Sequence, residues 1–321
     1  PAEKKRLERF ERMQRNRRGR AHPANVPAKL TRTSAFAPKR RGLITDSSFR
    51  RVYLVPKQSV IEVSGRELGS QHRDAMYALF RVPQTRQHRN GSPKTALGPW
   101  DDQICEAHTS WRELLRLMNR QEHTNNLLSL LAVFSDIKKV VITVHEGDPD
   151  EILAAEKRGQ LAGTGGHMGS IINDIVWHGV ELDSRVIIFY GGWAASMMQK
   201  AHLVSLNADV QFALNSDHAK SFWPYIDSQN NNSWVDETIL AALAGRNLFG
   251  AEETSASRSQ FRKDCRQAFE DMVRAGGLEY WEEEVVGRGR QKTRRYHYRH
   301  ALKRQMDLGL EDAALAQSTA K

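Results

Sequence analysis

The sequence predicts an α+β fold in which two successive units each run from helices into short antiparallel strands. Three observations predict it. Residues 254–277 read as one long helix, because Phe261, Cys265, Ala268, Phe269, Met272 and Val273 recur at the 3.6-residue period and form a single apolar stripe. That helix is stopped by Gly276-Gly277, and Leu278 to His300 then read as two short strands joined by a Gly-containing basic turn. An earlier stretch repeats the order, with helical runs at 111–118 and 120–139 followed by strand-like runs at 140–144, 171–177 and 185–190. Helices followed by a hairpin with a cationic tip are the order of a winged helix. The expected architecture is two tandem winged-helix domains with a basic N-terminal arm; the plainer alternative is an amphipathic surface helix beside an ordinary hairpin.

The length of 321 residues accommodates two domains of ordinary size. The reading divides them into a basic, disorder-prone arm at 1–30, a first winged-helix domain at 31–206, a second at 207–300 and a C-terminal tail at 301–321. Formal net charge is +10, with 27% of residues charged. Such an excess points to nucleic acid as partner, with an anionic membrane surface second. No apolar run approaches the roughly 18 residues of a membrane span, and no signal-peptide core follows the basic N-terminus, so a cytoplasmic protein is expected. Two cysteines, Cys105 and Cys265, are too few for a thiolate zinc site, and no disulfide is expected between them in a reducing compartment.

In chain order, residues 1–20 carry nine Lys/Arg against three Glu and read as a solvated tail or a phosphate-contacting arm. Pro23, Pro27 and Pro38 keep the next stretch extended. Residues 51–55 and 59–64 are β-branched runs expected to pair, Glu67 to Arg81 is an amphipathic helix ended by Pro83, and 84–99 reads as a surface loop. Leu127, Leu130, Leu131, Phe134 and Ile137 form the buried stripe of the 120–139 helix. Its polar start offers Asn125, Asn126 and Gln121 to adenine and Arg120 to guanine or phosphate, although capping alone also favours such residues there. The three strand-like runs after it are expected to make the sheet and wing of the first domain.

Gly163 to Gly169 is glycine-rich but lacks the Lys-Ser/Thr ending of a phosphate loop and is rejected as a nucleotide site. Further on, Phe222 to Ile226 is an aromatic cluster, 228–233 a polar break and 236–245 a small-residue helix. On the 254–277 helix, Arg258, Ser259, Arg262, Lys263 and Arg266 are the candidate major-groove readers. Arg288, Arg290, Lys292 and Arg294 of the hairpin are the candidate phosphate contacts. Residues 301–321 read as a frayed or disordered helix.

No cofactor pattern and no catalytic residues emerge, so a non-enzyme is expected. His297 and His300 flank Tyr298, beside Tyr296, but residues three apart on a strand face opposite sides and cannot share a metal. Asp148, Asp150 and Glu151 read as a solvated acidic cluster rather than a cation site.

Thr33 to Pro38, the strand pair through 59–68 and the helix 71–81 resemble the start of the TrfA-type plasmid replication initiators. Residues 208–225 and 257–278 are similar to that family's second-domain entry and long helix, so the resemblance covers most of 31–299. It departs in a shorter Asn-rich stretch between Tyr225 and Asp236 and in the 147–169 insertion. The resemblance implies sequence-specific binding of double-stranded DNA at repeated origin sites, called iterons, and recruitment of the host initiator and replicative helicase. It also implies a homodimer as storage form, with no role for a membrane. The rival readings are a winged-helix transcriptional repressor, a DNA-nicking replication protein using His297 with Tyr296 or Tyr298, and a basic RNA-binding or architectural protein.

Overall fold

The computed structural model describes residues 2–55, 59–88, 103–160, 165–192, 194–195, 203–229, 233–246, 248, 253–287 and 292–301. Helix α1 (Ala2–Ala21), strand β1 (Ala24–Pro27) and helix α2 (Ala28–Thr31) lead to strands β2 (Arg50–Val55) and β3 (Ser59–Ser64). Next come α3 (Ser70–Leu79), β4 (Gln84–His88), β5 (Gln103–Ser110), α4 (Trp111–Leu117) and α5 (Thr124–Lys138). Then follow β6 (Val141–Glu146), α6 (Pro149–Lys157), β7 (Gly165–Ser170), β8 (Ile172–Trp177) and β9 (Arg185–Tyr190). The remainder runs through β10 (Leu203–Leu206), α7 (Ala208–Ala213), α8 (Asp217–Ser228) and β11 (Trp234–Asp236). It ends with α9 (Glu237–Leu243), α10 (Ser255–Ala275), β12 (Leu278–Val286) and β13 (Thr293–His300).

Two of these series have one topology. In the second, α8, β11, α9, α10, β12 and β13 succeed one another and the sheet order is β11-β13-β12. In the first, α3, β5, α4, α5, β8 and β9 give the same order, β5-β9-β8, with β4 added outside β5. A strand before the two helices thus pairs with the last strand of the hairpin in both, which is the winged-helix arrangement made twice. The α+β, tandem winged-helix fold expected from the sequence is the fold observed.

Two expectations are corrected. Residues 140–144 do not share a sheet with 171–177 and 185–190. β6 lies between β3 and β7 in a separate four-stranded sheet, β2-β3-β6-β7, made from two strands that precede α3 and two that fall between α5 and the wing. The register explains the choice: Ile61 faces Val144 and Val63 faces Ile142, four buried apolar residues in cross-strand pairs. Residues 84–88, expected as loop, form β4 against β5, and 147–169 contains α6, whose start is capped by Asp148 accepting the Asp150 and Glu151 N–H groups at 2.8 and 3.2 Å.

One hydrophobic core gathers residues between Ala24 and Ala208, including Trp111, Phe134 and Tyr77; another gathers residues between Val210 and Tyr298, including Trp223, Phe261 and Phe269. A buried polar contact joins them. Arg73 on α3 donates to the backbone carbonyls of Lys220 and Phe36 at 2.7 and 2.6 Å, Lys220 pairs with Asp74, and Arg81 pairs with Asp209 at 2.9 Å. Unpaired, each of these groups would carry a heavy desolvation cost, so the contact specifies one relative placement of the units. Helix α1 is docked at its C-terminal end: Asn16 is fully buried and Arg20 pairs with Asp227 at 2.9 Å. Among the described residues no helix is long and apolar enough to cross a membrane.

Candidate nucleic-acid interface

Helix α10 is defined at both ends by local chemistry. The Thr254 hydroxyl accepts the Ser257 N–H at 3.1 Å, and Gly276 closes the helix in the left-handed conformation with φ 83°. Phe261, Cys265, Ala268, Phe269 and Met272 are buried as the stripe requires. The Phe269 ring stacks on Tyr296 of β13 at 5.1 Å, which seats the helix against the wing sheet.

The five candidate readers of this helix divide. Ser259 and Lys263 are exposed, along with Ala256, Gln260 and Gln267 of the same face. Arg262 instead donates to Glu237 at 2.7 and 3.1 Å, and Arg266 donates to Glu283 at 2.6 and 3.3 Å. These hydrogen bonds hold both guanidinium groups above the usual arginine range. Arg258 turns back to the Leu248 carbonyl. Of the hairpin candidates, Arg294 pairs with Glu283 at 3.2 Å and Lys292 is exposed, while Arg288 and Arg290 lie outside the described residues.

Glu237 and Glu283 therefore organise this region, and sequence reading passed over both. Glu237 is 1% exposed on the first turn of α9, and it also accepts the Arg294 backbone N–H at 3.1 Å. Between them the two carboxylates tie α9, α10, β12 and β13 into one frame. A signal was present in that three glutamates crowd 282–284 opposite an arginine-rich strand.

In the first unit the corresponding helix is α5. It begins at Thr124, so Arg120 and Gln121, expected on the helix, sit in the turn before it. His123 caps it by accepting the Asn125 N–H at 3.1 Å, and the Asn126 side chain donates to the Gln121 carbonyl at 2.8 Å. Asn125 keeps an exposed side chain; Asn126 is engaged in closing the turn. Arg112 on α4 donates to Asp183 at 2.6 and 2.7 Å and to Glu122 at 2.6 Å, linking the β8–β9 turn to the turn before α5. Arg112 and Arg116 hold Asp183 and Glu122 below the usual carboxylate range.

The tyrosines of the nicking alternative are interior. Tyr296 and Tyr298 are buried in the α10 core and burial raises both phenols, which leaves neither hydroxyl facing solvent-borne DNA. His297 pairs with Glu284 at 2.9 Å on the open face of β13, while His300 lies under Trp223, so the two histidines do face opposite sides. Among the described residues no group of three His, Cys, Asp or Glu is arranged to hold a metal ion.

Two winged-helix units, each with one helix presenting an exposed polar row, define a tandem winged-helix protein. No protein-family model and no curated protein matches the chain. Among solved structures it is similar to domains 2 and 3 of RctB, at 10% identity and TM-score 0.49 over 86% of this chain and 97% of that one. A second structure of RctB domains 2–3 gives 9% identity and TM-score 0.47, covering 85% and 97%. The Pi initiator protein in complex with iteron DNA gives 11% identity and TM-score 0.46, covering 73% and 92%. The fold described above rests on this chain's own topology.

Proposed function

We propose that this chain is a non-enzymatic, sequence-specific double-stranded-DNA-binding initiator of plasmid replication, of the TrfA type. In this reading it binds repeated origin sites and recruits the host initiator and replicative helicase, with a homodimer as storage form. One observation carries the DNA-binding part: both units leave the outer face of their longer helix, α5 and α10, exposed, with polar side chains Asn125 and Ser129 on one and Ser259, Lys263 and Gln267 on the other. In a winged helix that face enters the major groove. The net charge of +10 supplies the attraction to phosphate. The replication part is supported by the resemblance across 31–299.

A footprint of the purified protein on the DNA of its own replicon, at about 0.15 M salt to suppress nonspecific binding, tests the reading. Protection of several direct repeats, each about two turns long, is the expected result. A single inverted repeat over a promoter would make it a repressor, and equal binding to random duplex an architectural protein.

A further inference from the structure

The exposed faces of the two helices differ in chemistry. On α10 the outward row starts at Ala256 in the first turn and continues through Ser259, Gln260, Lys263 and Gln267, all hydrogen-bonding side chains. On α5 the outward row begins Thr124, Asn125, Leu128, Ser129 and Ala132, and the first exposed charge on the helix is Lys138 in its last turn. Part of its polar capacity is already used, because the Ser129 hydroxyl donates to the Asn125 carbonyl at 2.8 Å. Leu128 is 51% exposed in the middle of this row, on a helix whose Leu127 and Leu130 are fully buried. Leu128 and Ala132 stand one turn apart on the same face. They present an aliphatic strip to whatever the helix meets.

The floor of the major groove offers one apolar group, the C5-methyl of thymine. Resting on the DNA-binding reading above, we infer that Leu128, with Ala132 beside it, is a specificity-determining contact to thymine methyl groups. The first unit then selects A·T pairs by methyl burial, whereas the second selects by hydrogen bonds from Ser259 and Gln267. Asn125, next on the row, is positioned to add the adenine of such a pair through its amide.

The test uses the full-length chain and duplexes that it enriches from a random-sequence pool. Each thymine of the enriched site is replaced singly by deoxyuridine, which removes the methyl group and leaves every hydrogen-bonding atom in place. At one or two positions within one half of the site, affinity should fall about fourfold, the worth of one buried methyl group. Leu128→Ala, at a half-exposed position that leaves the core intact, should bind thymine and deoxyuridine versions of those positions equally. If uracil is tolerated at every position, or if the penalty persists in Leu128→Ala, the inference is overturned while specific DNA binding stands. If no sequence is enriched, the DNA-binding reading fails and takes the inference with it.

Discussion

Both carboxylate oxygens of Glu237 are taken by Arg262, whose Nε and terminal nitrogen donate to them at 2.7 and 3.1 Å. An arginine that a helical wheel puts among the candidate readers is thus a brace between α10 and α9. The distinction can be measured. Removing one partner of a buried pair leaves the other charge without compensation, at a cost of about 3 kcal/mol. Arg262→Ala should lower the unfolding free energy measured in urea by that amount. A midpoint that does not move, with a loss of about 1–3 kcal/mol at one base pair, would put the guanidinium on guanine instead.

Lys263 is exposed on the next position of the helix, and no ion pair holds its ammonium among the described residues, so its effect should appear in binding rather than in stability. Lys263→Ala should weaken binding about equally to all sequences and reduce the slope of log affinity against log salt by about 1. The slope, measured between about 50 and 200 mM salt, separates a phosphate contact from a base contact. An unchanged slope would take Lys263 off the backbone.

Asn16 makes the end of α1 part of the second unit. Its amide donates to the carbonyls of Gly276 and Ala301 at 3.1 and 2.8 Å and its oxygen accepts from Asn207 at 3.1 Å. Asn16→Ala leaves these buried groups unsatisfied and should cost about 2–3 kcal/mol. Limited proteolysis should then cut between α1 and β1 before the rest of the chain. Equal resistance in wild type and variant would show that the helix is held by other contacts.

How much of this was legible depends on the range of the interaction. Helix α10 was legible because its stripe, its Thr254 cap and its glycine stop are all local. The destination of β6 was not, since Val140 to Val144 is as β-branched as the true wing strands and only the register with β3 decides its sheet. The fates of Arg262 and Arg266 were hidden for the same reason: the carboxylates that hold them lie 25 and 17 residues away in sequence. The exposure of Leu128 was legible too, because the local stripe of Leu127, Leu130, Leu131, Phe134 and Ile137 leaves it off the buried face.

A buried histidine, His72, and a half-buried one, His218, predict how stability varies with pH. Burial lowers the His72 pKa against the opposing pull of Asp136, and burial lowers that of His218 against Asp264. Above pH of about 6.5 both are neutral whether folded or unfolded. As pH falls below that value the unfolded chain takes up protons that the folded chain resists, so stability is lost on acidification. His72→Gln, whose amide oxygen can accept the Gly69 N–H that His72 Nδ1 accepts at 3.0 Å, should flatten the loss between about pH 7.5 and 5.5. The same slope in both proteins would remove His72 from the account.

Gly276 and Gly277 act in one stop signal but for different reasons, and substitution should rank them. Gly276 has φ 83° and needs a left-handed residue, so Gly276→Ala should cost about 1–2 kcal/mol through backbone strain. Gly277 lies under Trp223, where an added Cβ would come within 2.5 and 2.6 Å of the indole ring and 2.9 Å of Val210. The ring cannot move aside easily, because its N–H donates to the Asn207 carbonyl at 3.1 Å and its edge meets His300. Overpacking of this kind costs about 1–3 kcal/mol and here also pushes on the contact that seats α1 through Asn207. Gly277→Ala should therefore unfold at lower urea than Gly276→Ala and should also speed proteolysis after α1. The reverse ranking would mean that the indole yields and that the helix end is limited by backbone conformation alone.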